Sequence, residues 1–232
     1  MATLEGKTVV VVGGSSGIGF GVALASLQSL ASTVIIASSN RARIENAIVR
    51  LQSHNLPGKV VGEVLDAKDS SVVKQFAIGL GLVDHIVWSS GDIPKAEDNL
   101  QDVRSAEQGQ ATFTVRFWGP FILAQHAKFH LGGSLTLTSG QSHFSVIDRI
   151  HLKPPAGMKL VASVGTAFDG PVKGLAVDLA PVRMNVVSPG LILDKAYGEN
   201  KEAMLASLNE KILLKRAGNP TELAEAYLFL MK

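Results

Sequence analysis

The stretch Thr8-Val9-Val10-Val11-Val12-Gly13-Gly14-Ser15-Ser16-Gly17-Ile18-Gly19 decides the fold of this chain. Its apolar part, Val9 to Val12, predicts a buried strand, and the pattern that follows predicts a helix. Glycines at 13, 17 and 19 allow a tight turn and close approach of the backbone to a pyrophosphate at a helix N-terminus. The stretch therefore predicts a dinucleotide site with contacts from Gly13, Ser15, Ser16, Gly17, Ile18 and Gly19. A glycine-rich turn without a ligand is the alternative.

The composition is that of one globular domain. The chain has 232 residues, of which 46% are apolar and 18% charged, and its net charge is +2. Residues 1–232 are therefore expected to form a single dinucleotide-binding domain. The sequence has no long basic block and few aromatic side chains, so we expect no nucleic-acid partner. Cysteine is absent, which excludes disulfides and thiolate metal sites. With no apparent signal peptide or membrane span, we expect a cytoplasmic protein without a membrane partner.

Short β-branched runs alternate with longer segments of helical period. This alternation predicts an α/β fold with a single Rossmann-type, doubly wound parallel sheet of about six to seven strands and helices on both faces. Strands are expected near residues 8–12, 33–37, 59–64, 83–88, 133–138 and 182–188. Helices are expected near residues 17–30, 41–53, 69–79, 106–130, 161–180, 202–213 and 220–231. Two irregular segments, 140–158 and 191–201, follow strands, so we expect them to wall a pocket for a small-molecule substrate.

The end of the second predicted strand indicates which dinucleotide would bind. An acidic residue there would bond the ribose 2′-hydroxyl of NAD(H), but the chain has Ser38-Ser39-Asn40-Arg41. Small hydroxyl side chains followed by an arginine leave space and positive charge for a 2′-phosphate. We therefore predict NADP(H), bound by Ser38, Ser39, Asn40 and Arg41. The alternative is that Arg41 is an ordinary solvated charge in the first turn of a helix.

These segments together resemble the short-chain dehydrogenase/reductase family, with departures at Val12, where most members have threonine, and at Ser89, where they have asparagine. The resemblance implies that Asp66 contacts the adenine ring, although a helix-capping aspartate is the alternative. It also places near the cofactor a turn after the fourth strand and a Pro-Gly turn after the last. The residues implied are Ser90, Gly91, Pro189, Gly190 and Ile192.

The same resemblance exposes a gap in the catalytic residues. The tyrosine that donates a proton in this family and its partner lysine align with Val161 and Gly165, which cannot transfer one. The family's asparagine aligns with Arg116, and its serine aligns with Gly140 or, one place earlier, with Ser139. Loss of a positioned acid should slow ketone reduction by about 100- to 10,000-fold. Hydride addition to an iminium carbon needs no proton donor, because it neutralises an existing positive charge.

A subset of fungal family members in indole-alkaloid pathways lacks these residues, reduces a cationic intermediate with NADPH and guides a Diels–Alder closure. The chain is similar to them at residues 136–140 and 174–181 and at Arg116. This implies an NADPH-dependent oxidoreductase acting on a cationic or iminium natural-product intermediate. Arg116 would orient an amide carbonyl, Ser139 would take the place of the family's serine, and Asp148 would balance a cation or move a proton. Arg116 in an ion pair of the fold and Asp148 as a solvated loop charge are the alternatives.

Other functions stay open at this stage. A cyclase or isomerase could retain NADP(H) as a structural part, and a nucleotide-binding protein could lack turnover. Tyr197 and Lys201 repeat the tyrosine and lysine spacing, but in a predicted flap. His126 and His130 lie four apart on the predicted helix 106–130, yet no carboxylate motif accompanies them, so we expect no metal.

The family resemblance also bears on assembly and on the pocket. It implies a homodimer or homotetramer, with dimers formed through the predicted helices 106–130 and 161–180. Family members have a final strand after the segment like residues 227–231, so either the sheet lacks that edge strand or the sequence given ends before it. Trp118, Phe144 and Ile147 are candidates for the pocket wall, although such residues more often belong to a core or interface.

Overall fold

The computed structural model describes residues 3–91, 105–139, 159–190, 192 and 213–232. Within these ranges the chain forms one parallel sheet with the strand order β3-β2-β1-β4-β5-β6. This is the order of a Rossmann sheet, so the predicted fold class is confirmed. The strands are β1 Thr8–Val12, β2 Thr33–Ser38, β3 Lys59–Val64, β4 Leu82–Trp88, β5 Lys128–Thr138 and β6 Arg183–Val187.

Helices cover both faces of the sheet. They are α1 Gly17–Gln28, α2 Arg41–Gln52, α3 Ser70–Gly79, α4 Ala106–Phe113, α5 Gly119–His126, α6 Lys159–Thr166, α7 Asp169–Asp178 and α8 Pro220–Met231. A π-helical turn, Thr114–Trp118, joins α4 to α5. The predicted helix 202–213 lies outside the described residues except for residue 213. No helix in the described ranges is both long enough and apolar enough to span a bilayer.

Two predicted helices were wrong in their extent. The helix predicted over 106–130 is interrupted by the π-helical turn and ends at His126, and β5 begins at Lys128. Pro120 explains the interruption, since a proline inside an α-helix lacks the N–H for the carbonyl four residues earlier and clashes with it. His126 and His130 therefore lie on different elements. Across the described residues, no group of three or more histidine, aspartate and glutamate side chains could hold a metal ion.

The helix predicted over 161–180 is divided into α6 and α7 by a turn at residues 167 and 168. Pro171 cannot donate to the carbonyl of Ala167, so a continuous helix would lose that bond. Phe168, at the turn, is buried in the same core as Leu175 of α7. The turn therefore keeps α7 packed on the sheet.

The four valines of β1 show why the sheet is covered on both faces. Val9 and Val11 pack in one core with side chains of α1, α2 and α8. Val10 and Val12 pack in a second core with α3, α5, α6 and α7. All four are at most 1% exposed, which explains why their run is apolar throughout rather than alternating.

The parallel register brings the carboxyl ends of the central strands to one edge. Val12 pairs with Ala37 of β2 and Trp88 of β4. Trp88 pairs in turn with Leu137 of β5, and Thr138 pairs with Val187 of β6. The segments that follow these strands therefore meet at this edge, where open α/β sheets bind ligands.

Candidate active site at the carboxyl edge of the sheet

The turn after β1 can be built only with glycine. Gly13 has φ of +88° and Gly17 has φ of +53°, a region that side chains disfavour. A Cβ on Gly13 would lie 2.7 Å from the backbone nitrogen of Ser90. A Cβ on Gly19 would lie 2.3 Å from the carbonyl oxygen of Gly13. The turn thus brings backbone N–H groups close to the start of α1, as a pyrophosphate cradle requires.

Ser15 and Ser38 connect this turn to the end of β2. Ser15 Oγ donates to Ser38 Oγ at 3.0 Å. Ser39, Asn40 and Arg41 follow as exposed residues. The structure therefore brings the residues predicted for the phosphate turn beside those predicted for the 2′-phosphate.

Asn40 and Arg41 form the start of α2. Asn40 Oδ1 caps the helix by accepting from the backbone N–H of Arg43 at 2.9 Å. The first turn of α2 has no acidic residue, although it contains Arg41 and Arg43. Arg41 therefore lies at the positive end of the helix dipole, which favours an anion at this position.

Asp66 follows β3 and is exposed. Its Oδ1 accepts from the backbone N–H of Lys68 at 3.0 Å. The capping residue of α3 is Asp69, whose Oδ1 accepts from the N–H groups of Ser71 and Val72. The bond from the Ser71 hydroxyl is the largest cause that lowers the pKa of Asp69. Helix capping therefore does not account for Asp66.

Ser89 takes the place of the family's asparagine at the end of β4. Its Oγ donates to the carbonyl oxygen of Val12 at 3.0 Å, and its backbone N–H donates to the same oxygen at 2.8 Å. The hydroxyl therefore ties the end of β4 to the end of β1. Only the departure from asparagine at Ser89 indicated that this contact needed another donor.

Arg116 and Gly91, both predicted site residues, lie against each other. A Cβ on Gly91 would be 2.6 Å from the guanidinium carbon of Arg116, so the guanidinium fills the space that a side chain at residue 91 would take. Arg116 is half-buried at the centre of the π-helical turn. Such turns are rare and recur at functional sites.

Ser139 follows β5 and is 2% exposed. Its Oγ is 3.4 Å from the carbonyl oxygen of Gly165 in α6, to which it donates, and its backbone N–H bonds the carbonyl oxygen of Val187 at 2.9 Å. At the position where the family resemblance implies a lysine, the fold thus presents the backbone of a glycine. Ser139 stands at the strand end, with its hydroxyl directed to that helix backbone.

Some of the remaining predicted residues lie in the described part of the chain, and others lie outside it. Buried Pro189 and exposed Gly190 follow β6 at the same edge, and Ile192 forms a parallel bridge with Gly218. Trp118 is 39% exposed at the end of the π-helical turn. Asp148 lies outside the described residues, as do Phe144, Ile147, Gly140, Tyr197 and Lys201.

Residues 1–229 match the protein family described as an SDR-like Rossmann domain. The chain belongs to the short-chain dehydrogenase/reductase family. The curated short-chain dehydrogenase/reductase ucsE of Acremonium sp is 38% identical over 98% of this chain and 90% of the relative. The solved MalC reductase/Diels-Alderase of Malbranchea aurantiaca is 32% identical, with a TM-score of 0.84 over 98% of this chain and 91% of that chain.

A short-chain dehydrogenase of Burkholderia cenocepacia J2315, solved in complex with NADP, shares the fold. Its TM-score is 0.79 at 23% identity, over 99% of this chain and 92% of that chain. The protein is thus an oxidoreductase of the short-chain type, related to fungal members that include a reductase/Diels-Alderase.

Proposed function

We propose that this protein is an NADPH-dependent reductase that adds hydride to a cationic or iminium carbon of a natural-product intermediate. The observation that carries the proposal is the juxtaposition at the edge of the sheet. The glycine turn lies against Ser90, and the Arg116 guanidinium lies against the neighbouring Gly91. Gly165 stands at the position where the family resemblance implies a lysine, and its backbone carbonyl accepts from the Ser139 hydroxyl. A dinucleotide site is thus combined with a reaction site that has an uncommon set of polar groups.

NADP(H) fits the residues present. At Gly13 and Gly19 neighbouring atoms occupy the space that a Cβ would take, so any contact of these residues with a phosphate must come from the backbone. At the end of β2, the exposed Arg41 and the N-terminus of α2 supply positive charge without a first-turn acid. When bound, NADPH supplies a hydride. Gly13, Ser15, Ser16, Gly17, Ile18 and Gly19 would hold its pyrophosphate side, and Ser38, Ser39, Asn40 and Arg41 its 2′-phosphate.

An iminium substrate needs no proton in the hydride step. The C=N⁺ carbon gains hydride and its nitrogen becomes a neutral amine, so the positive charge moves to the oxidised cofactor. The chain's residues then have to bind, orient and exclude water, which are effects of position rather than of acid strength. This chemistry is compatible with Val161 and Gly165 at the positions implied for tyrosine and lysine.

The charge of Arg116 restricts how such a substrate can lie. A guanidinium repels an iminium carbon, and its N–H groups donate to oxygen acceptors. We therefore assign Arg116 to a carbonyl of the substrate, such as an amide, rather than to its iminium group. The resemblance implies that Asp148 balances that cation or moves a proton, and we keep this role as part of the proposal.

Ring closure after reduction is a second candidate step. MalC, described as a reductase/Diels-Alderase, is 32% identical and superposes with a TM-score of 0.84. A pocket that orients a reduced intermediate would also bring its reacting ends together. We propose cyclisation only as a step after hydride transfer.

The test is a comparison of cofactors and substrates with the full chain. Cyclic iminium salts and matched ketones are incubated with NADPH or NADP⁺, and both cofactor absorbance and products are followed. The proposal predicts one NADPH consumed for each amine formed and ketone turnover at least about 100-fold slower. Product with NADP⁺ alone would instead support a non-redox cyclase. Absence of any product, with dinucleotide bound, would support a binding protein.

A further inference from the structure

Trp88, the last residue of β4, links the cofactor turn to the π-helical turn. Its side chain is 1% exposed. The indole Nε1–H is directed at two backbone carbonyl oxygens, those of Ser90 and Val115, each at 3.1 Å. Ser90 belongs to the turn implied to contact the cofactor, and Val115 directly precedes Arg116. One donor therefore joins the turn that contains Gly91 to the segment that carries Arg116.

The carbonyl of Val115 needs this outside donor because of Pro120. In the π-helical turn, the backbone N–H of Gly119 donates to the carbonyl oxygen of Thr114, five residues earlier. The same spacing would pair the carbonyl of Val115 with the nitrogen of Pro120, which has no hydrogen. A buried carbonyl without a partner is costly, and the Trp88 indole supplies the missing bond.

The ring of Trp88 also fixes the start of α5. A Cβ on Gly119 would lie 2.5 Å from Trp88 Cζ2 and 2.7 Å from Cη2, so the indole packs directly on the glycine backbone. Trp88 thus contacts Val115, just before Arg116, and Gly119, three residues after it. The position of Arg116 against Gly91 is therefore set from the end of β4.

We propose that Trp88 is a positioning residue that sets the Arg116 guanidinium beside the nicotinamide portion of the bound cofactor. The inference rests on the proposed function. With the 2′-phosphate at the end of β2 and the pyrophosphate at the end of β1, the nicotinamide half would extend towards β4 and β5, and Gly91 follows β4. A cation beside the nicotinamide disfavours the positively charged oxidised ring relative to the neutral reduced ring. At short range in a partly solvated site, this difference amounts to about tenfold in affinity.

The experiment measures the ratio of the NADPH and NADP⁺ dissociation constants by isothermal titration calorimetry of the full chain. Arg116→Gln removes the charge, and Trp88→Phe removes the N–H but keeps an aromatic ring. Each substitution is expected to shift the ratio towards NADP⁺, by about tenfold for Arg116→Gln. The double variant is expected to shift it no further than Arg116→Gln alone, since both act through one guanidinium.

Tyr227→Phe is the matched control for stability. Tyr227 is a fully buried aromatic residue, and its hydroxyl makes a 2.7 Å hydrogen bond to Thr138 Oγ1. It packs in the core on the opposite face of the sheet from Trp88. Its loss should lower the melting temperature while leaving the affinity ratio at the wild-type value.

Four results would overturn the inference. In the first, Trp88→Phe resembles Tyr227→Phe, with lower stability and an unchanged ratio. In the second, the shifts of Trp88→Phe and Arg116→Gln multiply in the double variant. In the third, Arg116→Gln leaves the ratio unchanged. These three leave NADPH binding itself intact, whereas wild-type protein that binds neither dinucleotide would overturn the proposed function as well.

Discussion

Replacing Gly19 by alanine tests whether the turn after β1 is a phosphate cradle. A Cβ at this position would lie 2.3 Å from the carbonyl oxygen of Gly13 and 2.5 Å from Ser89 Oγ. An unstrained contact is about 3.5 Å, so relief requires a displacement of roughly 1 Å. Because the nearest atom is backbone, the turn itself must move.

The displacement should weaken cofactor binding without unfolding the protein. Overpacking of this kind costs about 1–3 kcal/mol, less than the roughly 5–15 kcal/mol that stabilises a typical domain. The displaced N–H groups would lose contact with the pyrophosphate, and a hydrogen bond to a charged group contributes about 1.5–3 kcal/mol. Loss of one or two such bonds raises the dissociation constant of NADPH by about 100-fold.

The assay is titration of NADPH, followed by its fluorescence, together with thermal unfolding. Gly79→Ala is the matched control, because Gly79 is the exposed last residue of α3 and a Cβ there meets no atom of the described chain within 4 Å. It should bind NADPH as the wild type does and be no less stable. Binding by Gly19→Ala within about threefold of wild type would refute the cradle.

Three further predictions concern charge, pH and capping. Arg41→Ala should weaken the binding of NADPH at least about tenfold more than the binding of NADH, whereas the control Arg43→Ala should affect both alike. Equal losses of affinity for the two dinucleotides in Arg41→Ala, measured by calorimetry, would contradict this. Burial lowers the pKa of His85 to about 4, so the unfolded chain gains a proton first as pH falls. The free energy of unfolding should fall by up to about 3 kcal/mol as the pH is lowered from about 6.5 to about 4. If urea unfolding of His85→Gln showed the same dependence of this free energy on pH, the prediction would be contradicted. Asn219→Ala breaks the capping box with Glu222 and should cost about 1 kcal/mol in the same assay; unchanged stability would argue against that role.

Much of the fold could be predicted because local signals agree with tertiary burial. β1 and β3 have the predicted bounds, since β-branched runs ended by turn residues specify them well. The start of β5 was missed for a physical reason. Its pairing with β4 is irregular between Val83 and His85, and Gly132 has φ of +81°, so the strand extends through a segment without regular alternation.

The candidate site was predictable where it depends on glycine and on strand ends. Gly13, Gly19 and Gly91 all lie where a Cβ would collide with a neighbour. The part played by Trp88 was not predictable, because in sequence it is only the last apolar residue of a strand. One of its two hydrogen bonds is to Val115, in the π-helical turn that follows much later in the chain. Pro120 was the local sign of an interrupted helix, but the missing donor comes from another element.

The central claim is that this chain transfers hydride from NADPH to a carbon that is already cationic. The most direct measurement uses NADPH carrying deuterium at C4 of the nicotinamide, a cyclic iminium salt and its ketone analogue, with mass spectrometry of the products. With both C4 hydrogens of the nicotinamide replaced by deuterium, we expect one deuterium in each amine formed and ketone reduction at least about 100-fold slower. Deuterated alcohol formed at a comparable rate, or amine without deuterium, would contradict it.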